Sequence, residues 1–181
     1  MIICISGLVG SGKDTIADIV AEKLNLKRIK PSFKDVAKEM GIPLMDYHKY
    51  IEKDLTIDRE FDNKVAAEAK EGNAVVSTWL GPWTVKDATL RVWLDATEDE
   101  RAKRIASRDN ISFVDALKHL REREIHNRGR YLTLYGIDIL KDRSVFDLII
   151  NSENFNQDQI AEIIINTAKT KNAVKIKTRM Q

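Results

Sequence analysis

The stretch "MIICISGLVGSGKDTIADIVAEKL", residues 1–24, decides the fold. Its segment 2–6, "IICIS", is a short continuous apolar run ended by Gly7, the pattern of a strand buried on both faces. From Lys13 onward Ile16, Ile19, Val20 and Leu24 recur at helical spacing, and Asn25 closes the segment. Between strand and helix stands G-x-x-x-x-G-K, complete in Gly7, Gly12 and Lys13, with Leu8, Val9, Gly10 and Ser11 inside it. Glycines there let successive backbone N–H groups turn toward phosphate oxygens, the helix N-terminus adds its positive end, and Lys13 supplies a full charge for the outer phosphates. A glycine turn that merely precedes a lysine is the bland alternative. Gly10, Ser11 and Gly12 following a buried strand argue against it.

The residue after the lysine is usually Ser or Thr, whose hydroxyl ligates the magnesium bridging two phosphates. Asp14 stands there instead. A carboxylate ligates magnesium more strongly than a hydroxyl but repels a metal-free triphosphate, so nucleotide affinity is expected to depend more steeply on magnesium. The competing reading is an acid that complements the helix N-terminus, worth about 0.3–1 kcal/mol. Thr15 remains next door to bond a phosphate oxygen. Asp14 and Thr15 are therefore the candidate metal ligands, and Gly7 through Thr15 the candidate nucleotide cradle.

Composition narrows the remaining classes. The chain has 181 residues, 43% hydrophobic and 32% charged, with no apolar stretch approaching the roughly 20 residues of a membrane span. One soluble domain is expected, and the absence of a basic leader before the first apolar run points to the cytoplasm. The single cysteine, Cys4, cannot form an internal disulfide and reads as core, and His48, His119 and His126 show no zinc-ligand spacing. A net charge of +2 is too small to argue for nucleic acid, although residues 169–181 carry Lys169, Lys171, Lys175, Lys177 and Arg179 with no acid. That tail reads as solvated or as an exposed edge strand, "AVKIK" alternating, with a weak polyanion contact as the alternative.

Along the chain, "KRIK" reads as a short strand, and "SFKDVAKEM", "LMDYHKYIEKD" and "TIDREFDNKVAAEAKEG" as helices, the last stopped by Gly72. "AVVST" and "LRVWLDA" are strands, and Thr97 with Glu100 three residues on marks the next helix start. The span to about Tyr135 reads as two helices with a turn at Asp109 and Asn110; "FDLIINS" is the last strand and "NQDQIAEIIINTAK" the closing helix. Strands alternating with helices predict a three-layer α/β/α fold around a parallel sheet, with ligands at the strands' carboxyl ends. Residues about 31–71 and 97–138 hold helices without strands, so each is expected to project as a flap over the loop.

Taken together, "GSGKDT", "HKYIEKD" followed by "IDREFD", "RIASRDNIS", "RYLTLYGIDI" and "DLIINS" resemble the nucleoside monophosphate kinases, most closely the archaeal type of cytidylate kinase, over nearly the whole chain to about residue 168. The resemblance implies a P-loop kinase domain over 1–168, with an acceptor flap at about 31–71, a lid at about 108–138 and a basic tail at 169–181. It implies transfer of the ATP γ-phosphoryl group to CMP, and often dCMP, with Mg2+.

Phosphoryl transfer needs positive charge around the transferred group. The resemblance assigns the "RIxxR" pair, Arg104 and Arg108, to ATP, one against the base and one at the phosphates. Arg101 shares their helical face. Farther on, Arg123 and Arg130 share one face and Arg121 and Arg128 another, and likeness to lid arginines selects Arg123 and Arg130. With Lys13 these four are the candidate catalytic residues. Arg59 within "IDREFD" is a candidate for the acceptor phosphate. The match departs at "KPSFKD", Ser77 and Trp79, where the family pattern has a Gly-Asp step, a strand-end acid and an arginine. Trp79 and Trp83 offer flat faces for a base, or close the core at the sheet edge. These departures leave two other readings open: a kinase for another monophosphate or small phosphorylated metabolite, and a non-catalytic ATP-binding module.

Overall fold

The computed structural model describes residues 1–30, 36–38, 40–42 and 56–179, with 174–179 described as backbone only. Among the described residues these elements follow one another: β1 (Ile2–Ser6), α1 (Lys13–Leu24), β2 (Lys27–Ile29), α2 (Thr56–Lys70), β3 (Ala74–Ser77), α3 (Gly81–Thr84), β4 (Leu90–Asp95), α4 (Glu98–Asp109), α5 (Phe113–Tyr135), β5 (Leu148–Asn151) and α6 (Gln157–Arg179). The strands form one sheet in the order β2-β3-β1-β4-β5, every pair parallel. β1 is central, with Ile5 opposite Ser77 on one side and Ser6 opposite Trp93 on the other. The chain leaves β1 between neighbours reached by connections on opposite sides, so the loop that follows opens into the crevice where parallel sheets bind ligands.

Both faces of β1 are buried, which is why its apolar run shows no alternation. Ile3 and Ile5 pack with Ile16 and Val20 of α1 and Ile160 and Ile164 of α6. Ile2 and Cys4 face the other layer, with Ile29, Val65, Ala69 and Val76. Cys4 is fully buried, and burial pushes its thiol up to about 12, so it is a core residue as expected. Among the described residues no helix is long and apolar enough to cross a membrane.

Several expectations are met at their stated boundaries. Thr97 caps α4 by accepting from the Glu100 N–H at 3.3 Å, and Asn110, at φ 52°, makes the turn between α4 and α5. Gly72, at φ 86°, follows the end of α2. The helix expected over 44–54 lies outside the described residues, as does most of that over 32–40. Two features differ. Val65 and Ala69 anchor the second half of α2 in the core, so this part of the expected acceptor flap belongs to the helical layer. The tail is helix, not strand: α6 runs on to Arg179 because nothing between Gln157 and Arg179 is Gly or Pro, and Lys171 is held to Asp147 at 2.6 Å.

Candidate nucleotide site

The loop between β1 and α1 is shaped by its glycines. Gly12 caps α1 at φ 87°, and a Cβ there would meet nothing within 4 Å, so the space above the helix end is open. Gly10 lies at φ 81° against the next wall: a Cβ would sit 2.6 Å from the Arg101 carbonyl oxygen and 2.9 Å from the Arg101 Cβ. The left-handed conformation alone costs an L-residue about 1–2 kcal/mol. Gly10→Ala is expected to lower stability by about 3 kcal/mol, strain and collision together, read from the urea unfolding midpoint. Ser11 is 1% exposed and its hydroxyl has no hydrogen-bond partner among the described residues, an open valence of the kind a bound anion satisfies.

Lys13 reaches Asp14 at 3.2 Å. Burial lowers the Lys13 pKa, while the Asp14 charge pulls it back toward its ordinary value. For Asp14, burial works against ionisation, but the Lys13 charge and a hydrogen bond from Ser77 outweigh it and hold the carboxyl below its usual range. Ser77 Oγ donates to Asp14 Oδ1 at 2.7 Å, and Arg28 Nη2 stands 3.5 Å from the same oxygen. Ser77 and Arg28 were not singled out as site residues from sequence; only the adjacency of β3 and β2 in the sheet brings them to the loop.

The arginines divide. Arg101, 4% exposed, donates from Nη1 to the Val9 carbonyl at 3.0 Å, from Nε to the Ala96 carbonyl at 3.2 Å, and forms a buried ion pair with Glu124. It ties α4, α5 and the loop together. Arg104 donates to Ser152 Oγ at 2.9 Å, to the Ser152 carbonyl at 3.1 Å and to Glu100 at 3.1 Å. With Ser11, Gly12, Ser152, Phe155 and Asn156 it lines a cavity of about 500 Å³. Arg108 is gripped in a fork by Asp109, both contacts at 2.7 Å. Arg108 and Arg123 line a second cavity of about 170 Å³ with Val9, Gly10, Gly12, Lys13, Asp14 and Thr15. Burial first, then the like charge of Arg108, depresses the Arg123 pKa, while the Asp109 and Asp14 carboxylates pull it back up.

Arg130 goes elsewhere. Its Nε donates to Asp58 Oδ2 at 3.0 Å and its Nη2 to Asp58 Oδ1, joining α5 to α2 rather than to the loop. Beside this pair Tyr135 donates to Asp62 Oδ2 at 2.8 Å. Arg59, between the two inward acids, is exposed and lines neither cavity. Trp79 packs toward Val9, with its ring 6.3 Å from that of Tyr131, and its carbonyl accepts from Ser6 at 2.9 Å. Trp83 packs partly buried against the core, edge-on to Phe146 at 5.2 Å with Nε1 donating to Asp142 at 3.2 Å, and lines neither cavity.

Burial raises the Asp62 carboxyl from 3.8 to about 6, despite the hydrogen bond from Tyr135. The folded chain thus binds a proton there that the unfolded chain has released, and the associated stability is present below about pH 4 and lost as pH rises through about 6. Asp62→Asn is expected to remove that fall: the difference in unfolding free energy between wild type and variant should change by about 3 kcal/mol across this window, read from urea midpoints at each pH.

A parallel sheet whose central strand runs through a glycine loop into a helix, with lysine and arginines gathered over that loop, defines a P-loop fold of the kinase type. Solved structures agree: shikimate kinase from Aquifex aeolicus superposes with a TM-score of 0.58 at 20% identity, covering 96% of this chain and 99% of that one. Deoxyadenosine kinase from M. mycoides gives 0.52 at 16% identity, covering 94% and 100%. The chain belongs to the cytidylate kinase-like family, whose model matches residues 2–154. A cytidylate kinase of Thermococcus kodakarensis is 45% identical over 166 residues, 91% of this chain and 86% of that one. That of Sulfurisphaera tokodaii is 42% identical over 168 residues, covering 91% and 93%.

Proposed function

We propose that this chain transfers the γ-phosphoryl group of ATP to CMP or dCMP. The observation that carries the reading is the convergence of Lys13, Arg108 and Arg123 on one loop-lined cavity that also holds the Asp14 carboxylate. Gly12 lines this cavity and the larger one by Arg104, so a triphosphate in the first would extend its ribose and base into the second. The relatives named cytidylate kinase support the acceptor.

In this reading the loop amides and Lys13 hold the β- and γ-phosphates, and Arg108 and Arg123 neutralise charge as it spreads over the transferred group. Arg104, fixed by Ser152, lies against the donor's base and ribose. Asp14 and Thr15 both line the phosphate cavity and would hold magnesium, which is commonly bound by one or two protein oxygens plus substrate phosphates. Magnesium held there would supply positive charge to offset that of the phosphates. The start of α2, tied to α5 by Arg130–Asp58, borders the site with α5 and would help exclude water from it.

ADP release measured with CMP, dCMP, UMP, AMP and GMP, with and without magnesium, tests the reading. CMP and dCMP are expected to turn over fastest and only with metal. Faster turnover of another acceptor would reassign the substrate, and tight ATP binding without ADP from any acceptor would leave a binding module.

A further inference from the structure

P-loop enzymes ordinarily hold magnesium between a hydroxyl that follows the loop lysine and a carboxylate on a nearby strand. Here the loop position and the end of the adjacent strand are filled by the opposite residue types. Asp14 follows Lys13, and Ser77 ends β3, directly opposite Ile5 of the strand that feeds the loop. The two side chains meet, Ser77 Oγ donating to Asp14 Oδ1 at 2.7 Å. We propose that Asp14 and Ser77 form a transposed magnesium site, the carboxylate supplied by the loop helix and the hydroxyl by the strand. The inference rests on the kinase reading above and replaces Thr15 by Ser77 as the partner of Asp14.

A carboxylate placed only to complement the helix end needs no buried hydroxyl to orient it. Ser77 is 4% exposed, and its hydroxyl proton is committed to Asp14, which leaves its oxygen lone pairs for a cation. The Asp14 oxygens receive Ser77 and Lys13, two of about four lone-pair positions on a carboxylate, so room for a metal remains. Arg28 Nη2 stands 3.5 Å from the Asp14 oxygen that Ser77 meets, on the side of β2. Transposition also moves the negative charge from the strand end to the first turn of α1, beside the phosphates. Metal-free nucleotide is then repelled more strongly, and metal and nucleotide become more tightly coupled.

Calorimetric titration with a non-hydrolysable ATP analogue, with and without Mg2+, measures that coupling directly, and Mn2+ resonance spectra report bound metal. In the wild type metal is expected to tighten analogue binding about tenfold or more. Asp14→Ser should abolish most of that enhancement, and the reciprocal double variant Asp14→Ser with Ser77→Asp should restore it to within about threefold. Ser77→Ala should weaken it while Ser77→Thr preserves it, which decides the matter if the double variant does not fold. An unchanged enhancement in Asp14→Ser, a folded double variant no better than Asp14→Ser, or equal enhancement in Ser77→Ala and Ser77→Thr overturns the inference. Wild type that binds the analogue equally well with and without metal overturns it alone; wild type that does not bind the analogue at all overturns the kinase reading as well.

Discussion

Lys13→Ala is expected to lower kcat/KM for phosphoryl transfer by about a thousandfold, the scale of losing one preorganised charge at a reacting centre. Its side chain is 14% exposed, reaches Asp14 at 3.2 Å, and shares the cavity with Arg108 and Arg123. Arg108 is held by Asp109 and Arg123 approaches from α5, so neither stands where the Lys13 ammonium does. The fold should survive, because burial already disfavours the Lys13 charge and Asp14 keeps its bond from Ser77. Lys13→Arg should recover little, as a planar fork does not fit a slot shaped for a point charge. Steady-state ADP release with CMP, paired with a thermal melt, reads both consequences. Activity within a few fold of wild type would remove Lys13, and with it the proposed mechanism, from phosphoryl transfer.

The phosphate loop was legible in sequence because everything that shapes it is local: an apolar run, glycines at fixed offsets and an amphipathic helix. The arginines were legible only in part, Arg104, Arg108 and Arg123 lining the two cavities and Arg130 not, and α5 shows why. Arg123 and Arg130 share a helical face, but seven residues separate them by about 10 Å along the axis, so one meets the loop while the other meets α2. Helical periodicity assigns a face and says nothing of what lies opposite each level. Arg101 sits on the face of Arg104 and Arg108, yet its partners Val9 and Glu124 are distant in sequence and invisible to local pattern. Ser77 read as a missing acid until the parallel pairing of β1 with β3 set it against Asp14. The tail misled for a different reason. Alternation over "AVKIK" is too short to outweigh a helix already running without a breaker.

Breaking the Arg101–Glu124 pair is expected to have the largest effect on stability. Both side chains are buried, at 5% and 11% exposure, and burial raises the Glu124 carboxyl although Arg101 pulls it down. Arg101→Met leaves Glu124 uncompensated and frees the Val9 and Ala96 carbonyls, so a loss of about 3–5 kcal/mol is expected in urea unfolding. Glu124→Gln should cost less, since a neutral amide still accepts from Arg101. Replacing both at once, Arg101→Met with Glu124→Leu, should recover most of the loss if the penalty is the stranded charge, because apolar isosteres of a buried pair are often neutral or better. The kinetics separate a second role. Arg101 Nη1 fixes the Val9 carbonyl, and a methionine cannot, so nucleotide affinity should stay reduced in the double variant even where stability returns. Recovery of stability and affinity together would mean that Arg101 only balances a charge, whereas recovery of stability alone makes it the residue that holds the loop in shape for the triphosphate.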